Sequence, residues 1–147
     1  MQVVERNPNE LTPYPGNPRL NNAGVDAVAR SIQEFGFRQP IVVDEQGVIV
    51  VGHTRHKAAL KLGLQTVPVH VAIGLTEAQL RAYRIADNQT ATLSEWDDGK
   101  LAVELLELSK MDYDLDLIGF SVDEIASYIE SPSEGLTDAD VYSGGAC

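Results

Sequence analysis

One short stretch of the sequence, Gly52-His53-Thr54-Arg55, combines residue types that can bind an anion. Glycine lets backbone N–H groups approach a ligand closely, and the planar guanidinium of Arg55 presents paired donors that match phosphate oxygens. Thr54 adds a hydroxyl group. These residue types indicate phosphate binding, whereas the simpler alternative is a turn glycine followed by basic surface residues.

The histidines in and after this stretch suggest two further kinds of chemistry. His53 is the candidate general base, because histidine takes up and releases protons near neutral pH. His53 and His56 are three residues apart, but the next histidine is His70 and the single cysteine, Cys147, is the last residue. This spacing favours neither a zinc site nor a cysteine nucleophile, and no Ser/His/Asp triad is indicated.

Asp87 and Asn88 form a second candidate pair, at the predicted end of a helix. Carboxylate and amide oxygens are ligands for Mg²⁺, which proteins typically hold through one or two side chains together with substrate phosphates. The alternative is that Asn88 only ends the helix, since Asn is common at that position. Gln39, which precedes a proline at the entry to a strand, can present polar groups to the base of a nucleotide.

Short strands and a helix surround the glycine-arginine stretch. Residues 41–43 and 48–51 are β-branched runs separated by a glycine-containing loop, which predicts a hairpin. A helix over 56–62 and a strand over 67–71 follow, so Gly52 lies at a strand-to-helix junction, where backbone N–H groups can face an anion. Apolar periodicity and capping boxes predict further helices over 25–35, 76–88, 97–111 and 121–129.

The composition is that of a globular chain of 147 residues with a net charge of -11. That charge repels nucleic acid and anionic membranes. The single cysteine excludes an internal disulfide, and there is neither a signal peptide nor an apolar run of about 18 residues, so we expect a cytoplasmic protein without a membrane segment. The first twenty residues hold four of the seven prolines, which predicts extended chain and turns.

Several motifs occur in the order found in the ParB/sulfiredoxin-like superfamily, and the chain resembles the N-terminal domain of ParB-type proteins. The matching segments are Asn17-Pro18-Arg19, Ser31-Ile32, Gln39-Pro40-Ile41, Gly52 to Ala59, Gly63, Val67-Pro68-Val69 and Asp87-Asn88. The resemblance implies an α/β fold of the α+β kind, with a small mixed sheet and flanking helices. We therefore predict a nucleotide-binding domain over 1–93, a helical extension packed on it over 94–130, and a disordered tail over 131–147.

In ParB proteins such a domain binds CTP with Mg²⁺. The resemblance therefore implies that this chain binds a nucleoside triphosphate, CTP or ATP, together with Mg²⁺. The residues that it nominates for the nucleotide are Gly52, His53, Thr54, Arg55, Gln39 and Asn88, and those for the metal are Asp87 and Asn88. Related members include kinases, sulfiredoxins and proteins described as nucleases, so the family does not fix the reaction.

The sequence also departs from ParB. His53-Thr54 replaces a Glu-Arg pair, which removes a positive charge, and the box has no cysteine, which excludes sulfiredoxin chemistry. We expect no room for ParB's helix-turn-helix and dimerisation parts, so DNA contact would come through a partner or a missing domain. Residues 85–88, 93–96 and 119–121 are similar to the ParB-like domain that precedes the catalytic part of phage- and plasmid-type DNA methylases. Because no Asp-Pro-Pro-Tyr motif is present, we expect a truncated or stand-alone relative.

Three functions stay open at this point. The first is a nucleotide-binding domain, with or without slow hydrolysis, that serves a DNA-linked protein and can form a homodimer. The second is a metal-dependent nuclease with Asp87 as a ligand. The third is a non-catalytic adaptor, in which the acidic helices from Asp97 to Ile129 dock a methyltransferase or another DNA-associated partner.

Overall fold

The computed structural model describes residues 1–17 and 22–130. The predicted Pro18-Arg19 motif, the predicted tail and Cys147 lie outside the described residues. The chain divides into two compact units, of which the first is Met1–Ser94 and the second begins at Glu95. None of the helices in the described part is long and apolar enough to cross a membrane.

A four-stranded mixed sheet forms the centre of the first unit. Its strands are β1 (Val4–Arg6), β2 (Ile41–Val43), β3 (Ile49–Val51) and β4 (Val67–Val71), in the order β1-β4-β2-β3. β2 and β3 form the predicted antiparallel hairpin, β4 runs parallel to β2, and β1 pairs antiparallel with β4. The predicted α/β fold with a small mixed sheet is confirmed. β1 is an addition, because the proline-rich start had indicated only extended chain and turns.

Buried β-branched side chains hold this sheet to its helices. Ile41, Val43, Ile49, Val67 and Val69 have no solvent exposure. Each such side chain stabilises the fold by roughly 1.5–3 kcal/mol relative to an exposed one. Truncating one of these side chains would therefore remove a substantial fraction of the stability of a small domain. The strand ends next to this core are accordingly firm positions for a site.

Three helices complete the first unit: α1 (Val25–Phe35), α2 (His53–Leu62) and α3 (Glu77–Ala91). α1 packs against α2, and α3 contacts β3. α2 begins directly after Gly52, three residues earlier than the apolar pattern predicted. α3 starts with the predicted capping box and continues past Asn88, so Asn88 lies inside the helix instead of ending it.

The second unit contains α4 (Asp98–Lys110) and α5 (Val122–Glu130), close to the predicted bounds. The side chain of Asp97 caps α4 by accepting a hydrogen bond from the N–H of Lys100 at 3.1 Å. Ala102 and Leu105 are the buried residues of α4, which packs against α5. The unit is thus a helical hairpin with its own apolar contacts.

Candidate functional site

An open cavity of about 370 Å³ in the first unit gathers most of the predicted site residues. It lies where β3 gives way to α2, beside α1 and α3. The residues that line it are Asn17, Ala23, Gly24, Val28, Val50, Val51, Gly52, His53, Thr54, Arg55, Asp87 and Asn88. The two predicted groups, far apart in sequence, therefore share one cavity.

The first turn of α2 forms one wall of the cavity and suits an anion. Gly52 has a φ of 107°, a left-handed conformation that side chains other than glycine rarely adopt. No side chain caps the helix, and its first turn contains no acidic residue. The first N–H groups of a helix have no partner inside it, and they carry a partial positive charge. The N-terminal residues His53, Thr54 and Arg55 thus provide donors at the cavity wall.

Arg55 carries the main charge of this wall. Its Nη2 donates to the carbonyl oxygen of Pro40 at 3.1 Å, which fixes the guanidinium, whereas its buried Nε has no hydrogen-bond partner among the described residues. Burial lowers the pKa of Arg55, and the negative charge of Asp87 partly offsets this. A buried donor without an acceptor is costly, and Arg55 keeps this cost at a position where its side chain lines the cavity.

Asp87 and Asn88, on α3, also line the cavity. The carboxylate of Asp87 is exposed to solvent at the cavity, and the Nδ2 of Asn88 donates to the carbonyl oxygen of Arg84 at 2.9 Å. This hydrogen bond fixes the orientation of the Asn88 amide. No group of three or more His, Cys, Asp or Glu side chains that could hold a metal occurs in the described part of the chain. The donor set fits Mg²⁺ only as a cation shared with ligand phosphates.

His53 has a defined partner that constrains any role as a base. Its Nε2 accepts a hydrogen bond from the backbone N–H of Tyr14 at 3.1 Å, so Nε2 is unprotonated in this arrangement. Burial, followed by the charges of Arg84, His56 and Lys57, lowers the pKa of His53 to about 4. The imidazole is therefore neutral at pH 7, and its Nε2 lone pair is already used.

The remaining predicted residues lie away from the cavity lining. Gln39 is exposed in the segment before β2 and does not line the cavity. His56 is buried, and its Nε2–H donates to the carbonyl oxygen of Pro8 at 2.8 Å. His70 contacts the carbonyl oxygen of Gln2 through Nδ1 at 2.8 Å. These two histidines tie α2 and β4 to the N-terminal segment.

A second cavity, of about 530 Å³, is larger but less suited to phosphate. The side chains around it include Asp44, Glu45 and Glu77, together with Arg81 and Arg84. Arg84 lies 3.8 Å from Asp44, and Arg81 lies 3.5 Å from Glu77. Both guanidinium groups are therefore already paired with a carboxylate. The smaller cavity is therefore the candidate site.

Sequence analysis missed Arg84 and Tyr14. Arg84 is only 5% exposed, although most arginines lie at the surface. Leu80, Arg84 and Asn88 are four residues apart, and this spacing places all three on one face of α3. Because Asn88 was a candidate, the same periodicity could have nominated Arg84 as an inward-facing residue. Tyr14 has no comparable signal.

Two family models match the chain. Residues 1–88 match the model described as the ParB N-terminal domain, and residues 99–143 match the model described as the ParB-methyltransferase HTH domain. The second match includes residues outside the described part of the chain. The expectation that there is no room for a helix-turn-helix is therefore wrong: the segment predicted only as a helical extension matches such a domain.

Individual relatives agree with this assignment. The ParB-like nuclease domain-containing protein YnaK of Escherichia coli is 40% identical over 80 residues, which are 54% of this chain and 92% of YnaK. The probable plasmid-partitioning protein ParB of Thermus thermophilus is 34% identical over 113 residues, 73% of this chain but 38% of that protein. A truncated ParB from Caulobacter crescentus complexed with CTP-γ-S shares the fold, with a TM-score of 0.74 at 23% identity over 95% of this chain and 87% of that one.

Proposed function

The chain belongs to the ParB N-terminal domain family, and from this premise we propose that its cavity binds a nucleoside triphosphate together with Mg²⁺. The observation that carries the proposal is that Arg55 and the uncapped start of α2 line one cavity together with Asp87 and Asn88. The bound nucleotide would serve a DNA-linked protein or partner.

The phosphates are the part of the ligand that this site can recognise. The guanidinium of Arg55 is held by Pro40, so little conformational freedom is lost when it binds an anion. The first N–H groups of α2 add partial positive charge at the same wall. The protein's net charge of -11 opposes an anion at long range, but salt screens that repulsion, whereas these donors act in direct contact with the ligand.

Mg²⁺ would join the phosphates to the α3 wall. Asp87 supplies a carboxylate and Asn88 an amide, which are hard oxygen ligands of the kind that Mg²⁺ prefers. When bound, the cation would neutralise phosphate charge next to Asp87. Without it, the carboxylate of Asp87 would repel the phosphates, so we expect binding to depend on Mg²⁺.

CTP is the first nucleotide to test, with ATP as the alternative. The ParB of Caulobacter crescentus, which shares the fold, is complexed with CTP-γ-S. We propose binding, not turnover, because hydrolysis with His53 as the base would require its Nε2 to leave the N–H of Tyr14.

Calorimetry tests the proposal directly. CTP, ATP and GTP are titrated into the full chain with and without Mg²⁺, and the best ligand is repeated with Arg55→Ala. Arg81→Ala is the matched control, because it removes the same charge from an exposed arginine that does not line the cavity. We expect Mg²⁺-dependent binding that Arg55→Ala weakens by about 2 kcal/mol or more and Arg81→Ala leaves unchanged. No heat with any nucleotide, or equal effects of the two variants, would contradict the proposal.

A second candidate function concerns the unit that begins at Glu95. Its described residues contain Lys100 and Lys110 as their only basic side chains, among many Asp and Glu. Trp96, Met111 and Val122 are 61–71% exposed. A helix-turn-helix match with this charge favours docking of a basic protein surface over contact with DNA phosphates. Met111→Lys together with Val122→Lys should abolish binding to a purified partner methyltransferase, because it removes apolar contacts and repels a basic surface, and should leave nucleotide binding intact.

A further inference from the structure

Arg84 is a buried cation that the proposed phosphate site does not use. Its Nε donates to the carbonyl oxygen of Ile49 at 3.0 Å, and its Nη2 lies 3.8 Å from Oδ2 of Asp44. Its Cζ lies 3.8 Å from the centroid of the Tyr14 ring. Burying a charge is expensive unless it is paired, so this arginine is held by three partners from three parts of the chain.

Tyr14 connects Arg84 to the cavity. Its ring stacks on the guanidinium, while its backbone N–H donates to Nε2 of His53, which lines the cavity. Its carbonyl oxygen accepts a hydrogen bond from the N–H of Asn17 at 3.1 Å, and Asn17 is also part of the lining. Within the segment 12–17, Asn17 is the residue that lines the cavity, and its backbone is tied to Tyr14.

The two ends of this segment are held differently. At Thr12 the backbone is bonded on both sides, because its N–H donates to Gly47 and its carbonyl oxygen accepts from Ile49, at 2.9 and 2.8 Å. Tyr14 has no such ladder; beyond its turn bond with Asn17, it is held by the stack on Arg84 and the hydrogen bond to His53. These two contacts therefore connect Tyr14 to Arg84 on one side and to the cavity lining on the other.

We propose that Arg84 is a positioning residue for the nucleotide site, which acts by holding Tyr14 so that Asn17 keeps its place in the cavity lining and Nε2 of His53 stays an acceptor. The inference rests on the proposed nucleotide binding. It also gives His53 a task, which is to hold the backbone of Tyr14 and, through it, Asn17.

The chemistry of arginine fits this role better than that of lysine. A planar guanidinium can stack on a ring and still donate from its edge to a carbonyl and a carboxylate, whereas an ammonium group cannot do both. The charge has a second effect, because Arg84 is the second cause, after burial, of the lowered pKa of His53. The other two side chains that lower the pKa of His53 are those of His56 and Lys57, which lie on the same helix as His53.

The experiment compares four full-length variants. Arg84→Met removes the charge and the stack, Arg84→Lys keeps the charge alone, and Tyr14→Leu removes the ring but keeps the backbone N–H. Arg81→Met is the matched control, since it makes the same change on an exposed face of the same helix. NMR of the imidazole nitrogens reports the tautomer and pKa of His53 without nucleotide, and calorimetry reports CTP affinity.

We expect Arg84→Met to raise the pKa of His53 and to reduce CTP affinity about tenfold. The NMR signal of Nε2 should also lose the character of an unprotonated nitrogen that accepts a hydrogen bond. Arg84→Lys should keep the pKa of His53 low and still lose affinity, and Tyr14→Leu should lose affinity as well. Tyr14→Leu also decides the matter if Arg84→Met does not fold. Arg81→Met should match the wild type.

A folded Arg84→Met protein with wild-type His53 signals and wild-type affinity would overturn the inference. The same conclusion follows if Arg81→Met produces equal losses, because the effect would then be one of net charge. Wild-type protein that binds no nucleotide overturns the proposed function, and the NMR comparison then still decides whether Arg84 positions His53.

Discussion

A Cβ atom on Gly52 would lie 3.1 Å from Nη2 of Arg55 and 3.4 Å from its Cζ. The guanidinium thus occupies the space that a side chain at position 52 would need. A glycine at position 52 therefore meets two requirements: it adopts the positive φ, and it leaves room for the guanidinium of Arg55. These two requirements explain the glycine in the motif.

Gly52→Ala should therefore lower both stability and nucleotide affinity. Gly63→Ala is the matched control, because Gly63 also has a positive φ, of 70°, but a Cβ there would meet nothing within 4 Å. We expect each substitution to reduce the free energy of unfolding by about 1–2 kcal/mol through backbone strain. Only Gly52→Ala should also weaken nucleotide binding, measured by calorimetry. Equal affinities of the two variants would show that Arg55 tolerates displacement.

His56→Leu should destabilise the fold without touching the site. The buried Nε2–H of His56 donates to the carbonyl oxygen of Pro8, and leucine would remove this bond and leave the oxygen with the N–H of Leu11 alone, at 3.2 Å. We expect a loss of about 0.5–1.5 kcal/mol in urea unfolding, and a smaller loss for His70→Leu, whose contact with Gln2 is exposed. A larger effect at His70 would argue against this account of the N-terminal segment.

The stability of the protein should depend on pH through His53. Its pKa is about 4 in the folded chain, against an ordinary value of 6.5 when unfolded. Between these values the unfolded chain binds more protons, so the free energy of unfolding falls as pH decreases from about 6.5 toward 4 and is unaffected by His53 above that range. His53→Gln should flatten this part of the curve in urea unfolding. An unchanged slope would mean that other groups, chiefly carboxylates, account for it.

The chain should not bind duplex DNA tightly by itself. Its net charge is -11, and Lys100 and Lys110 are the only cations in the described residues after Glu95. We expect a dissociation constant weaker than about 10⁻⁴ M for a short labelled duplex at physiological salt, measured by fluorescence anisotropy. Micromolar binding that weakens steeply with salt would instead favour direct DNA contact by the helix-turn-helix segment.

Local sequence features determined most of the secondary structure and part of the site. The β-branched runs at 41–43 and 49–51, the capping box at Thr76 and the glycine after α1 act within a few residues, so their patterns are readable without the fold. The motif order also indicated the family, and it grouped Arg55 with Asp87 and Asn88, which line one cavity. These predictions depend on short-range preferences or on motifs, which the chain displays directly.

Only the tertiary structure decided the partners of the buried charges. β1 became a strand because β4 offered it an edge, and a three-residue run carries too weak a local preference to show this. Arg84 lies buried because Ile49, Asp44 and Tyr14, distant in sequence, meet around it. The orphaned Nε of Arg55 and the low pKa of His53 have the same origin: burial and charge act through space, and a sequence alone does not state which groups become neighbours.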